Sequence, residues 1–176
     1  MKRRWQIALV TALLMLPVAV LIGGCGLGLR ANLTPSYPLG LWRINTLDRE
    51  IEVGDLIFIC PPLNAEFQHA RERGYLRRGL CPGWQSPLIK TVVALPGQSV
   101  AISGSVTVDG REIPESKVQP FDGSGRSLMP FTGGIVPNGT LFLHSTFGGS
   151  YDSRYFGPIP AIGVLGLAEP LLTRGP

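Results

Sequence analysis

A mainly β body of short antiparallel strands, led by an N-terminal hydrophobic helix, is the fold the sequence predicts. Three observations carry it. The chain of 176 residues contains 23 Gly and 16 Pro, spread so that most stretches are too short for a long helix. Short apolar runs recur between turn signals such as Val53-Gly54-Asp55, Pro96-Gly97, Asp109-Gly110 and Asn138-Gly139. By contrast Trp5 to Gly24 is uncharged and mostly Leu, Val, Ile and Ala. The length suits one domain of about 100–150 residues behind such a segment. We therefore divide the chain into an N-terminal signal or anchor segment, 1–25, and a single body, 26–176.

Residues 5–24 are long enough for a bilayer-crossing helix of about 20 residues and longer than the usual h-region of a signal peptide, about 7–15. Lys2, Arg3 and Arg4 precede the run, so the positive end is expected to stay cytoplasmic and everything after residue 25 to face out, in the periplasm. Ile22-Gly23-Gly24-Cys25 also resembles a bacterial lipobox. Retention as an anchor, cleavage and lipidation at Cys25 all stay open.

Residues 26–35 read as a short connector that keeps Ser36 near the lipid surface. Val53-Gly54-Asp55 is a turn into a strand, Leu56 to Ile59. Residues 61–86 change character: they are polar and Arg-rich, with a short helix expected within Ala65 to Leu76. Cys60 stands just before this insertion and Cys81 within it, and outside the cytoplasm they are expected to close it as a disulfide. With only His69 between them they make a poor zinc site, so neither a metal nor another cofactor is expected. Leu88 to Leu95 is a strand ended by Pro96-Gly97. Ser99 to Ile102 and Ser105 to Val108 follow, and Asp109-Gly110 is a hairpin turn into Arg111-Glu112-Ile113. Residues 114–133 are loop, Thr140 to His144 is a strand, and Ile162 to Ala168 is the last one.

The net charge of +4 is concentrated in the N-terminal cluster and in Arg71, Arg73, Arg77 and Arg78. No basic strip interleaved with aromatic residues runs along the chain, and nucleic acid is not an expected partner.

Lys90 is the one charge in the apolar run Pro87 to Gly97. A strand apolar at both alternating parities is buried on both faces, and burial lowers a lysine pKa toward the range where the neutral amine is a base. A base needs a nucleophile, and Ser36 offers one between Pro35 and Pro38 in a rigid stretch just behind the hydrophobic segment. A third patch, Gly149 to Gly157, holds Ser150, whose hydroxyl can orient an amine, and Asp152 and Arg154, which either support the site or simply anchor a loop as an ion pair. His144 is the other candidate base, but no acidic residue is near it in sequence to orient its ring, and His69 is expected to face solvent.

These patches, with Leu95-Pro96-Gly97, Val108-Asp109-Gly110 and Val136-Pro137-Asn138-Gly139, resemble in order and over nearly the whole chain the type I signal peptidase family, most closely its conjugal-transfer branch, the TraF peptidases. The resemblance implies a signal-peptidase-like β body, with Ser36 as nucleophile and Lys90 as general base. It also implies that the Thr34 hydroxyl helps the Ser36 amide form an oxyanion hole, that Ser150 positions the amine, and that Asp152 and Arg154 support it. Three departures from signal peptidases stand out: Tyr37 follows the serine in place of Met, Thr91 replaces Arg beside the lysine, and Leu143-His144-Ser145 replaces a Gly-Asp-Asn. The resemblance further implies a pilin precursor as substrate, cut near its C-terminus, with hydrolysis and cyclisation both open, in the service of a conjugative transfer apparatus. The alternative is a non-enzymatic envelope lipoprotein held by Cys25, which leaves Lys90 unexplained.

Overall fold

The computed structural model of the chain describes residues 26–175, and before them only residues 4, 5, 11, 15, 23 and 24. The expected hydrophobic helix over 5–24, those isolated positions apart, and the lipidation site at Cys25 lie outside the described residues.

The described body is mostly strand, as its sequence predicts. The strands are β1 (Leu29–Asn32), β2 (Leu39–Asn45), β3 (Leu56–Ile59), β4 (Arg78–Cys81), β5 (Leu88–Ala94) and β6 (Ser99–Ser103). They continue with β7 (Ser105–Val108), β8 (Arg111–Glu112), β9 (Gly134–Ile135), β10 (Thr140–His144), β11 (Ile159–Pro160) and β12 (Val164–Arg174). Two helices, α1 (Ala65–Glu72) and α2 (Ser153–Phe156), complete it. A seven-stranded sheet has the order β1-β2-β12-β3-β5-β10-β11, and a four-stranded one the order β8-β7-β6-β9. All of their pairings are antiparallel.

The apolar strands sit where both faces are covered. β5 lies between β3 and β10, with Ile57 opposite Lys90 and Phe58 opposite Ile89. One face of this sheet carries Ile57, Ile59, Val92 and Leu143 under Phe67 and Ala70 of α1. The other carries Trp42, Phe58, Ile89 and Ala168. A third cluster, with Val100, Val106, Val136 and Phe142, joins the two sheets. Each fully buried side chain of this size contributes about 1.5–3 kcal/mol, so the lysine strand is anchored by its neighbours at both parities.

Four differences from the sequence reading have local causes. The connector over 26–35 is in part a strand, because β1 finds a partner in β2 that its own polar pattern does not announce. β2 was not expected from the sequence, and near its start lies Gly40, at φ +136°, where a Cβ would stand 2.1 Å from the Leu172 carbonyl oxygen. α1 stops at Glu72, and Gly74 at φ +81° turns the chain away. The last strand starts at Val164, since Ile162 lies exposed in a 3₁₀ turn, and it runs on to Arg174 past Pro170. Proline is tolerated there because β3 pairs only with the start of β12, leaving that side of the strand without a hydrogen-bonding neighbour.

Cys60 and Cys81 form the expected disulfide, with Cα atoms 5.5 Å apart. It joins the end of β3 to β4 and so closes the insertion. Replacing both cysteines by serine is expected to lower the unfolding free energy by roughly 3 kcal/mol for a closed loop of this size, read as a shift in the urea midpoint. An unchanged midpoint would show that the cross-link adds no stability.

Candidate active site

Lys90 sits on β5 in a floor of apolar side chains and is 3% exposed. Burial pushes its amine down from 10.5 to about 8; the Asp152 carboxylate opposes this and the Arg154 charge adds to it. Nζ donates to Ser150 Oγ at 2.5 Å and lies 3.5 Å from Ser36 Oγ, while the Ser36 hydroxyl is 3.3 Å from Ser150 Oγ. The fold thus brings together three side chains separated by 54 and 60 positions. With one N–H on Ser150, the neutral amine keeps its lone pair for the Ser36 proton. A separation of 3.5 Å is long for that transfer, as is common before substrate tightens a site.

The serine loop is built around Asn32, which is buried at the end of β1. Its Nδ2 donates to the carbonyls of Thr34, Tyr37 and Pro38 at 2.9–3.2 Å, and Trp42 Nε1 donates to the same Pro38 carbonyl at 3.0 Å. The Thr34 hydroxyl donates to Asn32 Oδ1 at 2.8 Å. Its single proton is therefore engaged in the loop, and serving an oxyanion would require it to rotate away. The Ser36 N–H makes no hydrogen bond among the described residues and is available to a carbonyl oxygen.

Asp152 and Arg154 are both fully buried. Arg154 grips both carboxylate oxygens, at 2.8 and 2.9 Å, and donates to the carbonyls of Lys117 and Ser150 at 2.7 and 3.0 Å. Burial would raise the Asp152 pKa, but the His144 ring, the hydrogen bonds of Arg154 and the Lys90 charge together hold it below the usual carboxylate range. Asp152 also caps α2, accepting from the Arg154 N–H. Through the Ser150 carbonyl this pair fixes the residue that holds the lysine amine.

Sequence reasoning missed two participants and the acid beside a third. Ser145, 1% exposed, donates its hydroxyl to the Ser36 carbonyl at 2.6 Å, and its N–H donates to Asp152 Oδ2 at 3.1 Å. Tyr37 places its hydroxyl 2.7 Å from Thr91 Oγ1 and donates to the His144 carbonyl at 3.3 Å; burial raises its pKa and keeps the phenol protonated. Tyr37 and Thr91, two separate departures in the sequence, are thus two halves of one contact. No acid stands near His144 in sequence, but the fold supplies one: His144 Nδ1 lies 3.3 Å from Asp152 Oδ2, although outside hydrogen-bond geometry, and the ring is buried. The α2 loop brings the acid back across the strand end. His69 is exposed, as expected.

Ser36 and Lys90 line a groove of about 620 Å³ whose apolar lining includes Phe58, Leu76, Leu88 and Ile89. Cys60 and Cys81 border it, so the disulfide helps shape it. A serine hydroxyl beside a buried amine, both lining a groove, is the layout of serine peptidases that use lysine as base.

Similarity to known proteins agrees with that class: a family model described as "Signal peptidase, peptidase S26" matches residues 2–172, and the chain belongs to this family. The Conjugal transfer protein TraF of Agrobacterium fabrum (strain C58) is 56% identical over 163 residues, covering 93% of this chain and 92% of its own. The Plasmid transfer protein TraF of Escherichia coli is 35% identical over 162 residues, covering 88% and 90%. A signal peptidase I of Enterococcus faecalis V583 aligns over 68% of this chain and 97% of its own, with 19% identity and a TM-score of 0.41, too slight a likeness to build on.

If the neutral amine is the working form, kcat/KM rises with pH through about 8, the pKa to which burial lowers Lys90, and falls below it. A profile flat from about pH 5 to 9 would contradict this. Ser145→Ala should lower kcat about tenfold with little change in KM, by releasing the Ser36 carbonyl, and Ser145→Thr should restore part of it. Full activity in Ser145→Ala would show that the contact does not position the nucleophile.

Proposed function

We propose that the chain is a serine peptidase of conjugative transfer that cuts a pilin precursor near its C-terminus, working in the periplasm and held at the inner membrane by residues 5–24. The observation that carries the chemistry is the buried Lys90 amine, 2.5 Å from Ser150 Oγ and 3.5 Å from Ser36 Oγ. The link to conjugative transfer is supported by the relatives, named as conjugal or plasmid transfer proteins, that match along most of their length; the pilin substrate rests on the family resemblance.

Ser36 Oγ bonds to the scissile carbonyl carbon while Lys90 takes its proton. The Ser36 N–H stabilises the oxyanion that forms. The C–N bond then breaks, Lys90 returns the proton to the departing amine, and an acyl-enzyme remains on Ser36. Ser150 and Asp152 keep the amine aimed throughout, one by a hydrogen bond and the other through the field of its charge. In the second half, water or the N-terminal amine of the pilin attacks the ester carbonyl carbon, giving up a proton to Lys90; the C–O bond to Ser36 then breaks and Lys90 hands that proton to Ser36 Oγ, which restores the free hydroxyl and the neutral amine. Water yields a linear subunit. The amine yields a ring.

Ser36→Ala and Lys90→Ala are each expected to reduce processing of a purified pilin precursor by on the order of 10⁴-fold while leaving the circular dichroism spectrum unchanged. Mass spectrometry of the product separates the two resolutions, since a ring is one water lighter than the hydrolysed subunit. Processing by either variant at the wild-type rate would refute the mechanism.

A further inference from the structure

Charged side chains lining the groove are all cationic: Arg30, Arg77, Arg78 and Lys90, with no Asp or Glu among the lining residues. Lys90 is spoken for by the chemistry, and Arg30 donates to the Leu29 carbonyl at 2.7 Å. Arg77 and Arg78 are different. Both are exposed, and neither side chain makes an ion pair or hydrogen bond among the described residues. Nearby arginines find partners: Arg71 donates to the Gly83 carbonyl, Arg73 to the Ser127 carbonyl, and Arg126 pairs with Asp122 at 2.6 Å.

The backbone that carries the two free guanidinium groups is firmly held. The Ser86 N–H donates to the Arg77 carbonyl at 2.8 Å, Arg78 bridges to buried Gln85, and Cys81 is tied to Cys60. A Cβ at Gly79 would come within 2.5 Å of Ser86 Cα, so this wall is packed tightly against its neighbour. Two unpaired cations carried on a held backbone at the rim of an apolar groove, with no internal anion, attract a carboxylate more strongly than the same groups in open water.

We propose that Arg77 and Arg78 are specificity-determining residues that select peptide chains carrying a carboxylate along the groove that Ser36 and Lys90 line. This rests on the reading of Ser36 and Lys90 as the cutting site and adds what the groove prefers to hold there. The carboxylate belongs either to an acidic side chain or to a free C-terminus, and the guanidinium chemistry is the same for both.

The test uses full-length protein carrying Ser36→Ala, so that binding is read without turnover. Fluorescein-labelled decapeptides of alternating Ala and Gly, with one Glu walked through the positions, are compared by fluorescence anisotropy with Gln counterparts, and each with a free or an amidated C-terminus. A carboxylate at one or two positions, or at the free C-terminus, is expected to tighten binding about tenfold at low salt, less at high salt. Arg77→Gln with Arg78→Gln should remove that preference, and Arg77→Glu with Arg78→Glu should transfer it to a Lys-bearing peptide. Equal binding of acidic and neutral peptides in every arm would overturn the proposal. So would a preference that survives the double substitution. Cleavage of a peptide by the Ser36→Ala protein, seen by mass spectrometry, would instead count against the catalytic reading and leave the groove preference to be judged by the anisotropy alone.

Discussion

The Asp152 carboxylate, out of reach of solvent, is satisfied on both oxygens by Arg154 and on one of them by the Ser145 N–H, and it favours the charged form of Lys90 against the cost of burial. Each of those neighbours leads to a different part of the site. Arg154 leads to the Ser150 carbonyl and the loop at Lys117, Ser145 leads to the Ser36 carbonyl, and the electrostatic field leads to the lysine. A buried carboxylate with its partner removed is among the more damaging changes a core can suffer, which is why this pair is matched so completely.

Burying Lys90 has a measurable thermodynamic side. Its folded-state pKa of about 8 lies below the 10.5 of the free side chain, so the folded chain binds fewer protons than the unfolded one between those values. Stability therefore rises with pH across that window, and below it the full penalty, about 3 kcal/mol, is carried by the rest of the fold. The apolar neighbours at both parities of β5, with the disulfide and the bidentate Arg154, are what offset it.

Much of this was legible in the residues and some was not, for physical reasons. Lys90 stood out because a strand with apolar positions at both parities leaves a charge no exposed face. The order of patches along the chain pointed to the family. Ser145 showed only as part of the departure at Leu143-His144-Ser145, and its role did not, because its partners are a backbone carbonyl 109 positions away and a carboxylate that only the fold brings close. The Tyr37–Thr91 contact looked like two unrelated departures until the register of β5 placed Thr91 beside the serine loop. β1 was hidden by its polar composition, and the full length of β12 by Pro170, which is acceptable only where that strand has lost one neighbour.

The web around Asp152 also bears on how such a site can change over generations. Because Asp152, Arg154, Ser145 and Ser150 meet through shared atoms, the effects of substituting any two of them are not expected to add. A first replacement removes most of what the group does jointly, so a second finds little left to lose, and a new solution is reached only if several positions move together. Descendants of this chain should then inherit the cluster as a block or exchange it as a block. Peripheral residues such as those on the exposed faces of β6 and β8 are free to drift one at a time.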